Sequence, residues 1–204
     1  MSDVLATTII PSASVDALET SVRGQVIRPN DRRYDEHRRV WNGSIDRRPA
    51  LIVRCAGVAD VSAAVRFARE HDLLAAVRGG GHSFPGLSTC DGGIVIDLGA
   101  MNGIELHPET RTVRAAPGVL LGELDRRTQT FGLGVPAGIV SHTGIAGLTL
   151  GGGLGWQQRK YGLSIDNLLS VDVVTAEGDL ISANEEENAA CSGAYGVEAA
   201  TSAS

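Results

Sequence analysis

In the first half of the chain, the spacing of apolar and polar positions is typical of strands and of one helix. Apolar residues recur at helical spacing within 58–71, with charged residues between them, which predicts an amphipathic helix. Short apolar runs at 50–54 and 74–78 flank this segment and predict strands. A strand, a helix and a strand in this order predict a parallel βαβ unit.

The later pattern predicts more strands than helices. It predicts a buried strand at 93–98 and a hairpin of strands at 104–107 and 112–115. A helix at 119–131, a short helix at 145–150 and a final pair of strands at 168–175 and 180–182 follow. The expected fold class is therefore α+β (α/β). Residues 1–34 are mixed and polar, and we expect them to form an N-terminal arm.

Charge and cysteine usage exclude several classes of partner. The net charge of −6 argues against a nucleic-acid-binding face, which requires a basic surface. No apolar run approaches the roughly 20 residues of a membrane span, and the N-terminus lacks a secretory pattern. Cys55, Cys90 and Cys191 are scattered, which suits a reducing compartment and predicts no metal site. A cytoplasmic protein is therefore expected.

Glycine is the unusual feature of the composition. The chain has 26 glycines, and twenty of them lie between Gly79 and Gly162. Glycine weakens helices and strands but lets the backbone approach another group closely. The loops 79–83 and 144–155 are the densest segments, and exposed backbone N–H groups in such loops bind anions. Together they suit a long ligand with a central pyrophosphate, whereas the alternative is that glycine only makes tight turns.

Two familiar phosphate sites do not match. A Walker loop requires a lysine followed by Ser or Thr, and the only lysine, Lys160, precedes Tyr161. Residues 132–137 match the sequence pattern of a dinucleotide-binding fingerprint. However, they follow a predicted helix, and Pro136 is badly placed to open a new one.

Several segments, in order, resemble one family. Val77-Arg78-Gly79-Gly80-Gly81-His82-Ser83 resembles the covalent-flavin loop of FAD-linked oxidases of the vanillyl-alcohol-oxidase and p-cresol-methylhydroxylase type, in the berberine-bridge-enzyme-like branch. The other matching segments lie at 34–52 with Trp41-Asn42-Gly43, 115–118, 134–138, 144–155, 161–167 and 171–176. Any one motif is weak, but their order over residues 34–188 is specific.

The resemblance implies a fold and a cofactor. The fold is an FAD-binding domain over residues 35–188, with a small parallel βαβ sheet and a larger mixed sheet with flanking helices. The cofactor is FAD. The positions that would contact it are Arg78, Gly79, Gly80, Gly81, His82, Ser83, Pro117, Gly118, Gly138, Val140, Thr143, Gly144, Gly147, Gly152, Gly153 and Val173.

His82 is the expected point of covalent flavin attachment. In the family, an imidazole nitrogen at this position bonds to a ring methyl carbon of the flavin, which needs a neutral histidine. Some members add a cysteinyl bond, and the matching position here is Val140, so a single link is expected. His142 lies in the second loop; a hydrogen-bonded loop histidine is favoured over one that approaches the flavin or substrate. Trp156 and Tyr161 are expected to pack and seat that loop, and Asp166-Asn167 to form a turn.

Residues 189–204 do not continue the family pattern. They are small and lack a hydrophobic period, where the family continues into a substrate-binding domain. We therefore expect a C-terminally truncated chain, with a frameshift as one hypothesis and a disordered tail as the alternative. The expected function is that of the FAD-binding domain of an oxidoreductase acting on an alcohol, sugar or amine-type carbon. A small-molecule substrate is expected only for a full-length relative, and turnover by this chain is doubtful. The alternative is a non-catalytic glycine-loop binding module or a folded remnant.

Overall fold

The computed structural model describes residues 10–188. The helices are α1 (Ser12–Ser21), α2 (Tyr34–Arg38), α3 (Val58–Glu70), α4 (Leu121–Gln129), α5 (Ile145–Leu150) and α6 (Gln158–Tyr161). The strands are β1 (Gln25–Ile27), β2 (Leu51–Arg54), β3 (Ala75–Arg78), β4 (Ile94–Asp97), β5 (Ile104–His107), β6 (Thr112–Ala115), β7 (Val171–Val174) and β8 (Leu180–Ala183). Among these residues, no helix has both the length and the apolar character needed to cross a membrane.

The main sheet has four strands in the order β1-β2-β4-β3. Strands β2, β4 and β3 are parallel, and β1 pairs antiparallel with β2. The predicted strand–helix–strand unit is β2-α3-β3, with β4 inserted between its two strands. The α+β class is confirmed.

Side chains of the central strands are buried on both faces, as parallel sheets require. Because side chains alternate along a strand, Val53 and Ile96 point to one face and Ile52 and Val95 to the other. The first face packs against α3 and α1, and the second against Tyr34. All four residues of β4 are buried. The uninterrupted apolar runs in the sequence therefore mark the centre of the fold.

An ionic row crosses the carboxyl ends of the parallel strands. The register aligns Arg54, Asp97 and Arg78, the last residues of β2, β4 and β3. Asp97 Oδ2 lies 3.0 Å from Arg78 Nη2 and 3.4 Å from Arg54 Nε. Both Asp97 and Arg78 are buried, and the Asp97 carboxylate is the counter-charge of the Arg78 guanidinium. The pair lies at the carboxyl edge of the sheet, where ligands of parallel sheets bind.

The described part of the predicted N-terminal arm belongs to the core, which differs from the expectation for residues 1–34. Val15 and Leu18 of α1 are buried against the sheet, and β1 extends it. The buried carboxylate of Asp60 accepts hydrogen bonds from the backbone N–H groups of Arg23 and Gly24, at 3.0 and 2.9 Å. Strand pairing and this anchor fix a segment whose own sequence has little periodicity.

The second half contains two separate hairpins. Strands β5 and β6 pair with each other, as do β7 and β8. Thus the mixed sheet lies in the first half, and the later strands pair only with their chain neighbours within the described residues. Arg66 of α3 donates to the carbonyl of Gly178 at 3.0 Å and so ties the β7-β8 turn to the main sheet's helix. The predicted aberrant tail, residues 189–204, lies outside the described residues.

Candidate functional site

The first glycine loop begins directly after β3, at the carboxyl edge of the sheet. Arg78, held by Asp97, fixes the start of this loop. A Cβ on Gly79 would lie 2.9 Å from the carbonyl oxygen of Pro117, so the loop runs against the turn before α4. Gly81 has a φ of +66°, a backbone conformation that side-chain-bearing residues rarely adopt. The hydroxyl of Ser83 accepts a hydrogen bond from the N–H of Leu87 and closes the loop.

The two glycine loops touch backbone to backbone. A Cβ on Gly80 would lie 2.3 Å from the backbone nitrogen of Gly144, and a Cβ on Gly144 would lie 2.4 Å from that of Gly80. The N–H of Ile145 donates to the carbonyl of Val119, which holds the second loop beside the start of α4. Only glycine at both positions permits this approach.

Three aromatic rings meet beside this contact. The indole of Trp41 stacks on the imidazole of His82, with ring centroids 4.2 Å apart and planes 18° apart. The ring of His142 lies 5.0 Å from that of His82. The Nε2 atom of His82 is buried and has no hydrogen-bond partner among residues 10–188. His142 is exposed and lies next to His82, and its role stays a prediction.

The remaining predicted positions lie before α4, in the second loop and beyond it. Close to the loops, a Cβ on Gly118 would lie 2.2 Å from the carbonyl oxygen of Leu98, just beyond β4. Thr143 accepts through its carbonyl from the N–H of Leu121, and Val140 is at the surface. Gly138 lies under Leu148 of α5.

Three more predicted positions lie later in the chain. Gly152 and Gly153 have positive φ angles, and Gly153 packs against Ser164. Val173 pairs with Ile181 in the second hairpin. The structure therefore brings the first loop, Pro117 and residues 142–144 together.

The segment after the second loop differs partly from the expectation. Trp156 and Tyr161, expected to pack, are 85% and 51% exposed. The close approach of Gly155 to the carbonyl oxygen of Ala137 directs the chain towards the surface before Trp156. The predicted turn is confirmed: Asp166 accepts from the N–H of Leu163 at 2.7 Å, and Asn167 donates to two carbonyls.

Two residues of the site were not predicted as site residues. Trp41 lies in a segment that carries the family resemblance, but its stacking on His82 depends on tertiary structure. Asp97 is the charged end of an apolar strand, as Arg78 is. Because parallel strands align their carboxyl ends, this shared position could have predicted that the side chains of Asp97 and Arg78 lie next to each other.

The environment of His82 favours its neutral form. Burial lowers the pKa of its imidazole below the ordinary 6.5, and the charge of nearby His142 lowers it further, against a backbone hydrogen bond that raises it. Because the His82 imidazole is harder to protonate in the folded than in the unfolded chain, its contribution to stability is fully present above pH 6.5. That contribution is lost as the pH falls below this value, since the unfolded chain then binds the extra proton. The lowered pKa therefore favours the neutral imidazole, the form that a nucleophilic histidine requires.

We expect an NMR titration of the flavin-free chain to give His82 a pKa below 6.5. In His142→Gln the midpoint should rise, because one of the two lowering causes is removed, and it should stay below 6.5 because burial remains. His82→Gln assigns the resonance. A midpoint at or above 6.5 in the wild type would contradict this description of the site.

Gly80→Ala should lower the free energy of unfolding by roughly 1–3 kcal/mol, the usual cost of overpacking, because the new methyl group meets backbone rather than a flexible side chain. Gly147 is the matched control, since a Cβ there meets nothing within 4 Å and the residue lies in α5. Gly147→Ala should leave stability unchanged or raise it by up to about 1 kcal/mol through helix propensity. Urea unfolding measures both, and equal midpoints for the two variants would refute the close approach of the loops.

These features fit FAD. His82 presents a buried nitrogen that has no partner in the described part of the chain, and the two loops present backbone without side-chain bulk. Apolar side chains around the second loop are exposed, including Ile139 and Leu154. Such a surface suits the planar ring system of a flavin, and the glycine backbone suits its pyrophosphate.

Comparison with known proteins gives a consistent result. The family model described as an FAD binding domain matches residues 49–184. The chain is 40% identical over 171 residues to (R)-6-hydroxynicotine oxidase of Paenarthrobacter nicotinovorans, covering 84% of this chain and 37% of that protein. It is 32% identical to xylooligosaccharide oxidase of Thermothelomyces thermophilus, covering 86% and 36%. The solved structure of BBE-like 1 from Physcomitrella patens superimposes with a TM-score of 0.84 at 31% identity, covering 89% and 40%.

The chain thus spans less than two fifths of the length of (R)-6-hydroxynicotine oxidase. Within that span, the fold, the order of the motifs and the domain match agree on FAD as the cofactor. The chain belongs to the FAD-binding domain family of FAD-linked oxidoreductases, among the vanillyl-alcohol-oxidase and p-cresol-methylhydroxylase type proteins that include berberine-bridge-like enzymes.

Proposed function

We propose that this chain binds FAD at the junction of its two glycine loops and holds it covalently through His82. The observation that carries the proposal is the Nε2 atom of His82, which is buried at that junction and has no hydrogen-bond partner among residues 10–188. The contact between Gly80 and Gly144 brings both loops to one place. We further propose that the sixteen positions named from the family resemblance include the residues that hold FAD.

Attachment would replace an imidazole N–H bond and a methyl C–H bond with one N–C bond. The two electrons and two protons released pass finally to dioxygen. The protein's part is to keep His82 neutral and placed, which is consistent with its lowered pKa.

A single covalent link is proposed. Val140 has no nucleophilic side chain, so the second, cysteinyl bond of some relatives has no counterpart at that position. Burial raises the pKa of Cys55 to about 12, and it also raises the pKa of the buried Cys90. Neither thiol is a good source of thiolate.

The proposed reaction is oxidation of an alcohol, sugar or amine-type carbon. Bound FAD supplies the chemistry, since it accepts a hydride from such a carbon. The names of two relatives, a hydroxynicotine oxidase and a xylooligosaccharide oxidase, support this range of substrates. Selection and deprotonation of the small-molecule substrate are proposed to lie outside the matched residues 49–184.

We also propose a cytoplasmic location and a small-molecule partner. Cys55 and Cys90 are free and buried, which supports a reducing, cytoplasmic compartment. The net charge of −6 supports a small molecule rather than nucleic acid as the partner.

The test is flavin uptake by the purified chain. The flavin-free protein is incubated with FAD under air and precipitated with acid, and the absorbance of the redissolved pellet is measured. A yellow pellet with one flavin per chain is expected, with the flavin on the peptide that contains His82. A chain that takes up FAD but releases all of it in acid would refute covalent attachment. A chain that takes up none would favour a non-catalytic module or a folded remnant.

A further inference from the structure

Trp41 covers one face of the His82 ring. The ring centroids are 4.2 Å apart, and the small angle of 18° between the planes is that of a stacked pair. His142 lies 5.0 Å from His82 and 6.4 Å from Trp41. These three distances place His142 beside the imidazole rather than over the face opposite the indole. The stacking therefore comes from Trp41, and neither neighbouring ring covers that opposite face.

The backbone ties Trp41 to the loop on which it stacks. The N–H of Trp41 donates to the carbonyl of Gly81 at 3.0 Å, on one side of His82. The side-chain amide of Asn42 donates to the carbonyl of Phe84 at 2.8 Å, on the other side. The hydroxyl and the N–H of Ser44 both donate to the Oδ1 atom of Asn42 and orient its amide. Two adjacent residues thus clamp the loop on both sides of the histidine.

General packing does not account for this arrangement. Trp41 is 53% exposed, so the indole is not buried in the core. The Nε2 atom of His82 has no hydrogen-bond partner within the described residues, so on that side of the ring the stack on Trp41 supplies the restraint on its plane. We propose that Trp41 is a positioning residue for flavin attachment, which orients the imidazole of His82 through its stacked indole and the clamp on residues 81–84. This inference rests on the proposed function.

The geometry of the bond explains why orientation matters. A ring nitrogen of imidazole forms a new bond in the plane of the ring, along its lone pair. A ring free to rotate presents that lone pair correctly for only part of the time. Loss of such pre-orientation slows reactions by up to about 100-fold even where the reacting groups are unchanged. Trp41 does not contact the reacting bond and acts only through His82.

The experiment measures the rate of attachment apart from FAD binding. Flavin-free wild type, Trp41→Ala, Trp41→Leu and Trp41→Phe are mixed with FAD, and acid-stable flavin is followed over time at several FAD concentrations. We expect the maximal rate to fall about 10- to 100-fold in Trp41→Ala and Trp41→Leu. The half-saturating FAD concentration should change little. Trp41→Phe, which keeps a stacking ring, should return to within a few-fold of wild type.

Phe131 provides the matched control. It is an aromatic residue of similar exposure, 58%, that follows α4, and Phe131→Ala should attach flavin at the wild-type rate. NMR of the flavin-free chains provides an independent readout. The ring protons of His82 should show an upfield ring-current shift that Trp41→Phe partly keeps and Trp41→Leu loses.

Leucine fills space without stacking, so the comparison of Trp41→Leu with Trp41→Phe decides the inference even if Trp41→Ala fails to fold. Equal rates for these two variants would overturn it, as would wild-type rates in Trp41→Leu. A wild-type chain without covalent flavin would overturn the proposed attachment and this inference together. Normal attachment in Trp41→Leu would overturn the positioning role alone.

Discussion

His82→Ala is expected to abolish acid-stable flavin while leaving FAD bound reversibly. The substitution removes the imidazole through which we propose that the flavin is attached. The glycine loops, whose contact at Gly80 and Gly144 does not involve the His82 side chain, remain in place. The measurement is flavin absorbance in the acid precipitate, with fluorescence of the denatured chain in a gel as a second readout.

His107 is the matched control for this loss. It ends β5, its side chain is half exposed, and it lies outside the proposed site. His107→Ala should retain one covalent flavin per chain. Acid-stable flavin that persists in His82→Ala would disprove the assignment, and a cysteinyl flavopeptide in the wild-type digest would disprove the single link.

Asp97→Ala should be the most destabilising single substitution in the sheet, with a loss of about 3–5 kcal/mol in the free energy of unfolding. The carboxylate is buried and lies between Arg78 and Arg54. Removing it leaves the buried guanidinium of Arg78 without a counter-charge, and the usual cost of breaking such a pair is of this size. Because small domains have only about 5–15 kcal/mol of stability, part of the population would unfold. Guanidinium-induced unfolding followed by circular dichroism measures the loss.

Two further variants separate the buried charge from general damage. Glu36→Ala breaks a surface pair with Arg33 and should leave the unfolding midpoint unchanged. The double variant Arg78→Met with Asp97→Leu removes both charges and should recover most of the stability lost in Asp97→Ala. If Asp97→Ala unfolded at the wild-type midpoint, the ionic row would not contribute to the free energy of unfolding.

Elements with a strong local pattern were predictable from the sequence, and those stabilised by distant partners were not. Helix α3 and the hairpin of β5 and β6 have clear periods and turn residues. Helix α1 buries only Val15 and Leu18, and β1 has three residues whose partners lie in β2. Such non-local pairing leaves no period in the segment itself, which explains why residues 1–34, which include α1 and β1, were expected to be an arm.

The same distinction holds for the site. The two glycine loops and His82 were recognisable because their chemistry is concentrated in short runs. The stacking of Trp41 on His82 joins residues far apart in sequence, and it depends on how residues 39–45 return to the loop after β3. The exposure of Trp156 was missed because a tryptophan is most often buried, whereas here the approach of Gly155 to Ala137 directs it outward.

The contact between Gly80 and Gly144 also sets an order of events during synthesis. The two halves of the junction are far apart in the chain, and His142 joins His82 only when the second half has folded back. A nascent chain that has emerged from the ribosome only as far as α4 has His82 but no junction. Covalent attachment as proposed requires that junction, so it would follow the folding of residues 142–144 onto the first loop.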